Sequence, residues 1–146
     1  MADREHPQPR RTAQLLPGAI AALRMGMGGI PIQRLAASDA DRVLGKAVDA
    51  GINFFDTARG YTDSEAKFGR VLSRRRQQVL IASKSFSRGA AEILRDIETT
   101  LGNLRSDYVD LYQCHNVASE ADLERILAPD GAVAGMLQAR GQGKVR

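Results

Sequence analysis

Residues 51–61, GINFFDTARGY, contain the feature that decides the fold of this chain. A short, continuously apolar segment, INFF, ends at Asp56, and Tyr61 follows five positions later. A strand without polar alternation is typical of a parallel sheet, because helices cover both faces of such a sheet. We therefore interpret INFF as a buried parallel strand that ends in a carboxylate.

Outward from this strand, predicted strands and helices alternate along the chain. The other predicted strands cover residues 23–27, 78–83 and 107–113, and the final KVR resembles the start of a fifth strand. The first predicted helix is capped by Ser38 and stopped by Gly51. Four more helices are predicted over residues 64–72, 89–104, 122–127 and 133–139. This alternation predicts βαβ units and an α/β fold with a parallel sheet.

Two closures of such a sheet fit the alternation, an open doubly wound sheet and a barrel. An open dinucleotide-binding sheet has the pattern GxGxxG after its first strand. The corresponding segment here, GMGGIP at residues 26–31, departs from that pattern because Ile30 and Pro31 stand where the third glycine and the helix start are expected. Periodicity alone leaves both closures open.

Reactive side chains follow the apolar strands at matching positions. Asp56 ends the second predicted strand, Lys84 the third and His115 the fourth, at separations of 28 and 31 residues. Each separation is about one strand–helix repeat, and neighbouring strands lie ~4.8 Å apart. We expect these side chains and the nearby Tyr61 to cluster at the carboxyl rim of the sheet, where barrel enzymes have their active sites.

Such a cluster has a specific chemistry. A free phenol has a pKa of about 10, and a neighbouring ammonium lowers that pKa. Asp56 would hold Lys84 charged and in place, so that Tyr61 becomes a usable general acid or base. His115 would donate a hydrogen bond to a substrate oxygen. The arrangement suits protonation of a carbonyl oxygen while hydride arrives at its carbon.

Each of these residues also has an ordinary structural explanation. An aspartate at a strand end often caps a loop, a lysine there often reaches solvent, and a lone tyrosine or histidine often only packs. The occurrence of four such residues at matching places in three successive repeats favours a shared site.

Four segments together resemble one known family. GINFFDTARGYTDSE resembles the second-strand signature of the aldo-keto reductase superfamily, and LIASKS resembles its third-strand lysine segment. DIETTLGNLRSDYVDLYQCHN resembles the stretch that ends in its histidine, and GMGGIP resembles the turn after its first strand. The resemblance covers roughly residues 24–146 and implies a parallel (β/α)8 barrel of the TIM type.

The resemblance implies a role for each residue of the cluster. Tyr61 would be the general acid and Lys84 the residue that lowers its pKa. Asp56 would hold Lys84, and His115 would orient the substrate. The implied reaction is hydride transfer from NADPH, or less often NADH, to an aldehyde or ketone, so NADP(H) is favoured over NAD(H) as cofactor.

The resemblance also implies where the cofactor lies. Gly28, Gly29 and Ile30 match the family segment near the nicotinamide end of the cofactor, and Asp56 often lies there too. No metal site is expected. Most of the other cofactor-binding residues belong to later strands, which we expect to be missing from this chain.

The chain length departs from the family pattern. A complete barrel takes about 250 residues or more, whereas this chain has 146 residues and stops where a fifth strand would begin. We expect a flexible, basic lead-in over residues 1–22 and an incomplete half-barrel over residues 23–146, with about four βα units. We expect a fragment of a longer protein with little activity alone; a truncated inactive product and a half-barrel that pairs with a second copy are the alternatives.

Other functions remain open beside carbonyl reduction. The main alternative is a non-catalytic barrel that serves as a regulatory or binding subunit, as some superfamily members do on ion channels. Exposed half-barrel edges would allow self-association. Apart from self-association, the expected binding partner is a small carbonyl substrate. Binding to nucleic acid or to a membrane is not expected.

Composition supports these exclusions. The net charge is +4, but the positive charges are scattered and aromatic residues make up only 5%, so a nucleic-acid surface is not indicated. The longest charge run, Arg74-Arg75-Arg76, is predicted to lie in a solvated loop rather than to form an anion-binding patch. The single cysteine, Cys114, cannot form an internal disulfide and is predicted to pack in the core.

The N-terminus leaves two localisations open. No apolar stretch approaches the roughly 20 residues that a membrane-spanning helix needs. A cytoplasmic protein is therefore expected. The pair Arg10-Arg11 before an apolar stretch weakly resembles a twin-arginine export signal, which is the alternative.

Overall fold

A computed structural model describes residues 12–146, in which strands and helices alternate as predicted. The strands are β1 (Thr12–Ala13), β2 (Ala22–Leu23), β3 (Met27–Gly28), β4 (Phe54–Asp56), β5 (Leu80–Ser85) and β6 (Leu111–Cys114). The α-helices are α1 (Ala37–Asp49), α2 (Ser64–Leu72), α3 (Ala90–Leu104), α4 (Glu120–Leu127) and α5 (Ala132–Gly141). Short 3-10 segments cover Pro31–Arg34 and Ser73–Gln78.

The central sheet is parallel and its strands follow chain order, β3-β4-β5-β6. Asp56 at the end of β4 pairs with Gly28 of β3 on one side and with Ala82 of β5 on the other. Beyond β6, Val109 forms a single parallel bridge with Val145 near the chain end. The final KVR segment therefore lies where the sequence predicts the next strand of the sheet.

The first predicted strand is divided between two elements. Only Met27 of residues 23–27 belongs to the parallel sheet, whereas Leu23 belongs to β2, which pairs antiparallel with β1. The Leu23 N–H donates to Asn53 Oδ1 at 2.8 Å, which fixes the chain at that point before it enters the sheet. Residues 12–22, predicted as part of a flexible lead-in, thus contribute a small hairpin. Arg10 and Arg11 lie outside the described residues.

The helix bounds agree with the sequence pattern to within a few residues. α2 covers the predicted residues 64–72, and α4 begins after Ser119, whose Oγ accepts from the Asp122 N–H at 3.1 Å. α1 begins at Ala37, so Ser38 lies inside the first turn instead of capping the helix. Gly51 stops α1 with a φ of 90°, a left-handed conformation that favours glycine.

The hydrophobic core lies between the sheet and the helices. Phe55 of β4 packs edge-on against Phe68 of α2, with ring centroids 6.0 Å apart. Gly69 sits where α2 meets α3, and a Cβ there would come within 2.1 Å of the Asn103 carbonyl oxygen. The other large, fully buried apolar side chains are Ile32, Leu44, Leu72, Leu80, Ile81, Ile93, Ile97, Leu104 and Val109.

The arginine run before β5 is not uniformly solvated, and the prediction is wrong for one of its members. Arg76 is buried, and its Nη2 lies 2.5 Å from Asp110 Oδ2. Its guanidinium also donates to the Val79 carbonyl at 2.9 Å and lies 4.0 Å from the centroid of the Tyr108 ring. Arg76 therefore joins the start of β5 to the segment before β6. A buried carboxylate makes this position favourable for a cation.

Candidate active site

The sheet register brings the predicted reactive residues to one rim. Asp56 ends β4, and Lys84 lies near the end of β5, two residues beyond the Asp56 partner Ala82. His115 follows β6 directly, and its N–H donates to the Ser85 carbonyl at 2.8 Å. All three therefore lie at the carboxyl ends of neighbouring parallel strands.

Lys84 is held by two oxygen acceptors from the segment after β4. Its Nζ lies 2.6 Å from Asp56 Oδ1 and donates to the Thr57 carbonyl at 2.9 Å. The Lys84 side chain is 14% exposed and that of Asp56 is 37% exposed, so the pair is partly shielded from solvent. A charged ammonium with two fixed acceptors has a defined position at the rim.

Tyr61 lies beside this ammonium. The Lys84 Nζ is 5.0 Å from the centroid of the Tyr61 ring. The Tyr61 ring meets the His115 ring edge-on, with centroids 5.6 Å apart and an interplanar angle of 84°. The structure therefore brings together Asp56, Lys84, Tyr61 and His115, the four residues that the sequence places at the rim.

The surroundings of His115 favour its neutral form. Burial lowers the pKa of His115 below its ordinary value, and the Lys84 ammonium lowers it further. The Asp56 carboxylate opposes this shift, and the Arg88 guanidinium adds to it. Nδ1 of His115 is buried and has no hydrogen-bond partner among residues 12–146. Nε2 is therefore the ring nitrogen that is available to donate a hydrogen bond at the rim.

The sequence analysis missed two residues that contact His115. The Phe86 ring is 52% exposed and stacks on the His115 ring, with centroids 4.1 Å apart and an angle of 18°. Arg88 donates from Nη2 to the His115 carbonyl at 3.0 Å. A signal existed for Phe86, because it follows Lys84 by two positions and residues two apart share one face of a strand. The sequence offers no comparable signal for Arg88.

A partly buried ion pair supports the loop that carries Tyr61. Glu65 of α2 is fully buried, and its Oε2 lies 2.8 Å from Arg59 Nη1. The other donors to Glu65 are Ser83 at 2.7 Å, Thr100 at 2.8 Å and Asn103 at 3.0 Å. Because Arg59 lies two residues before Tyr61, this network ties the Tyr61 loop to α2, β5 and α3.

The predicted cofactor-binding segment divides into exposed and packed residues. Gly28 is exposed, and nothing lies within 4 Å of where a Cβ would stand, so the space beside Asp56 is open. Ile30 is also exposed at this rim. Gly29 is buried instead, with its N–H donating to the Asp56 carbonyl at 2.7 Å and Ser64 Oγ packed within 2.6 Å of the Cβ position. Gly29 therefore shapes the turn, while Gly28 and Ile30 face the open space.

Cys114 does not join the rim. Its side chain is partly buried and packs against the hydrophobic core, as the strand alternation predicts. Burial raises the pKa of the Cys114 thiol, and the Arg88 guanidinium opposes that shift. A thiol with a raised pKa is a poor nucleophile near neutral pH.

Two kinds of site have no counterpart in the part of the chain that is described. Across residues 12–146, no three His, Cys, Asp or Glu side chains cluster closely enough to hold a metal ion. Over the same residues, no helix is long and apolar enough to cross a membrane.

The fold and the rim together define a parallel α/β protein of barrel type with an Asp–Lys–Tyr–His cluster at the carboxyl ends of its strands. Residues 22–146 match the model of the Aldo/keto reductase family. The chain belongs to this family.

Individual relatives support this assignment. The chain is 28% identical over 144 residues to the 6-dehydroglucose reductase of Novosphingobium aromaticivorans, a match that covers 84% of this chain and 47% of that protein. It is 31% identical over 107 residues to the methylglyoxal reductase YeaE of Escherichia coli, covering 70% of this chain and 35% of that protein. The chain thus spans less than half the length of either relative.

The structure resembles solved aldo-keto reductases over the same region. An aldo-keto reductase from Klebsiella pneumoniae in complex with NADPH superposes with a TM-score of 0.72 and 26% identity. The match covers 86% of this chain and 44% of that one. The predicted fold, an incomplete half of a (β/α)8 barrel, is confirmed.

Proposed function

We propose that this chain carries the acid–base residues of an NADPH-dependent oxidoreductase that reduces an aldehyde or ketone to an alcohol. The observation that carries the proposal is the position of the Lys84 ammonium, 2.6 Å from Asp56 Oδ1 and 5.0 Å from the centroid of the Tyr61 ring. Two relatives named as reductases, of 6-dehydroglucose and of methylglyoxal, support a carbonyl substrate.

In the proposed reaction, Tyr61 is the general acid. Its hydroxyl gives a proton to the carbonyl oxygen of the substrate, and the Lys84 ammonium stabilises the negative charge that the phenol oxygen acquires. Asp56 holds the Lys84 side chain in position. His115 donates a hydrogen bond from Nε2 to the same carbonyl oxygen and orients it. A proton from solvent restores the phenol, so the net change is addition of one hydride and one proton to the carbonyl group.

The nicotinamide cofactor supplies the hydride when it is bound. The residues present fit its nicotinamide end, because Gly28 leaves open space beside Asp56 and Ile30 is exposed at the same rim. NADP(H) is preferred to NAD(H) in this proposal, since an NADPH complex is known for one structural relative and an NADP complex for another. The remaining cofactor contacts would come from later strands, so the 146-residue chain alone is expected to have little activity.

The first experiment measures turnover in the longest product of the reading frame that contains this chain. NADPH oxidation is followed with a panel of aldehydes, for the unmodified protein and for Tyr61→Phe. Loss of a positioned general acid costs about 100-fold or more in rate. Tyr108→Phe is the matched control, because Tyr108 lies between the Arg76 and Arg146 guanidiniums and away from the rim.

Two results would decide against the proposal. Turnover that is equal in the unmodified protein and in Tyr61→Phe would exclude Tyr61 as the acid. A protein with no turnover that captures a stable partner in the absence of NADPH would instead favour the regulatory or binding subunit.

A further inference from the structure

We propose that Arg88 is the positioning residue of this rim, one side chain that holds His115 and its stacking partner Phe86 in a fixed relation. The inference rests on the proposed function only for the use of His115 as a hydrogen-bond donor. Arg88 Nη2 donates to the carbonyls of His115 at 3.0 Å and Asn116 at 3.2 Å. Its Nη1 donates to the Phe86 carbonyl at 3.1 Å, and its Nε lies 3.0 Å from Asp122 Oδ1.

These acceptors belong to three separate segments. Phe86 follows β5, His115 and Asn116 follow β6, and Asp122 lies in the first turn of α4. A guanidinium is suited to this arrangement because it presents five N–H donors in one rigid plane. An ammonium is a compact charge with three donors, and it would not reach all of these oxygens from one position.

The backbone of Arg88 is itself fixed. The Arg88 carbonyl accepts from the Ala132 N–H at 2.8 Å, and the next residue, Gly89, forms an antiparallel bridge with Gly131. The Arg88 side chain is 20% exposed, so solvent weakens its bonds only in part. The Arg88 backbone, just before α3, is therefore anchored to the start of α5, and its guanidinium extends from there to the two loops of the rim.

The turn that carries His115 has an uncommon backbone conformation. Asn116, the residue after His115, has a φ of 54°, in the left-handed region that asparagine adopts more readily than most residues other than glycine. Arg88 binds the carbonyls of two successive residues, His115 and Asn116. We therefore expect loss of Arg88 to release this turn, and with it the His115 ring from its stack on Phe86 and its edge contact with Tyr61.

The test follows the His115 ring protons by NMR in the 146-residue chain. The chain has two histidines, so His115 is assigned by the signal that disappears in His115→Gln. A stacked Phe86 ring displaces the His115 ring protons upfield. Arg88→Gln should move them most of the way back to the position of a free imidazole. Arg125→Gln is the matched control, because Arg125 of α4 pairs with the exposed Asp130 of the segment after that helix and should leave the signals in place.

A second variant separates geometry from charge. Arg88→Lys keeps the positive charge but not the planar set of donors, and it should displace the signals nearly as far as Arg88→Gln. Thermal unfolding of each variant shows that the fold is retained. Unchanged His115 signals in Arg88→Gln, or complete rescue by Arg88→Lys, would overturn the inference.

Turnover provides a separate readout in the longest product of the reading frame. Displacement of an aligned donor lowers kcat by about 10- to 100-fold. The KM for NADPH should not change, since the Arg88 side chain bonds to none of Gly28, Ile30 and Asp56, the residues proposed to face the cofactor. If the unmodified protein shows no turnover, the proposed function fails while the NMR result still decides the role of Arg88.

Discussion

His115 shows at the scale of one residue how the rim shifts the pKa of a side chain. The side chain is surrounded by Lys84, Asp56 and Arg88, two cations and one anion, and it is partly withdrawn from water. Both burial and the nearby cations disfavour a second proton on the imidazole. Because the folded chain depresses the pKa of His115, its contribution to stability is present above the unfolded pKa of about 6.5 and is lost as pH falls below it.

Replacing Lys84 tests this account directly. Lys84→Met removes a cation and leaves the Asp56 carboxylate without its partner, so the pKa of His115 should rise relative to the unmodified chain. The measurement is an NMR pH titration of the His115 ring. Lys46→Met, on the exposed face of α1, is the control and should leave that pKa in place. An equal pKa in the Lys84→Met and unmodified chains would show that the ammonium does not act on His115.

At the scale of elements, the contact between α2 and α3 determines where the Tyr61 loop is anchored. Glu65 in the first turn of α2 accepts hydrogen bonds from Thr100 and Asn103 of α3. One turn later, Gly69 allows the two helices to approach closely. The approach of the two helices therefore places the α3 donors beside the carboxylate that pairs with Arg59.

The glycine at this contact can be tested against a second glycine. Gly69→Ala should destabilise the chain by about 1–3 kcal/mol, because the added methyl group would overlap the α3 backbone. Gly102→Ala on the exposed face of α3 meets nothing within 4 Å, and it should be neutral or stabilise by roughly 0.5–1 kcal/mol as a better helix former. Urea unfolding measures both. Equal effects on stability would mean that helix propensity, and not the close approach of α3, determines the cost of replacing Gly69.

The elements also show what a sequence can predict. α2 and the rim residues were predictable, because apolar spacing defines a helix face and equal repeat lengths make strand ends neighbours in a parallel sheet. The hairpin of β1 and β2 was not predictable, because strands of two residues are too short to show a hydrophobic periodicity. The burial of Arg76 was missed because its partner Asp110 lies 34 residues away. The composition of a charge run does not indicate which distant residue its members contact. Arg88 was missed for the same reason.

At the scale of the whole molecule, Asp110 joins distant parts of the chain. The carboxylate is 2% exposed, pairs with Arg76, accepts from the Ile81 N–H at 2.9 Å and lies 3.5 Å from the Arg146 guanidinium. It thus connects the segment before β5, β5 itself and the end of the chain. A buried carboxylate with this many partners is costly to disturb, because each partner loses its compensation.

Removing this charge should lower global stability. Asp110→Asn leaves the buried Arg76 uncompensated and should cost about 3–5 kcal/mol in free energy of unfolding. Asp49→Asn, which breaks the exposed pair with Arg75, should cost no more than about 1 kcal/mol. Chemical denaturation measures both variants. A cost for Asp110→Asn as small as that of Asp49→Asn would show that the Arg76 charge is solvated after all.

The agreement between strand order and chain order has a consequence for synthesis. Each strand of the sheet is added beside the one that preceded it, so a chain leaving the ribosome can extend the sheet from one edge without waiting for a distant segment or passing through a closed loop. Domains generally fold as units during translation, at roughly 5–20 residues per second. The last residue of the cluster, His115, emerges after the strands that support it, and the rim can therefore be assembled in the order in which it is translated.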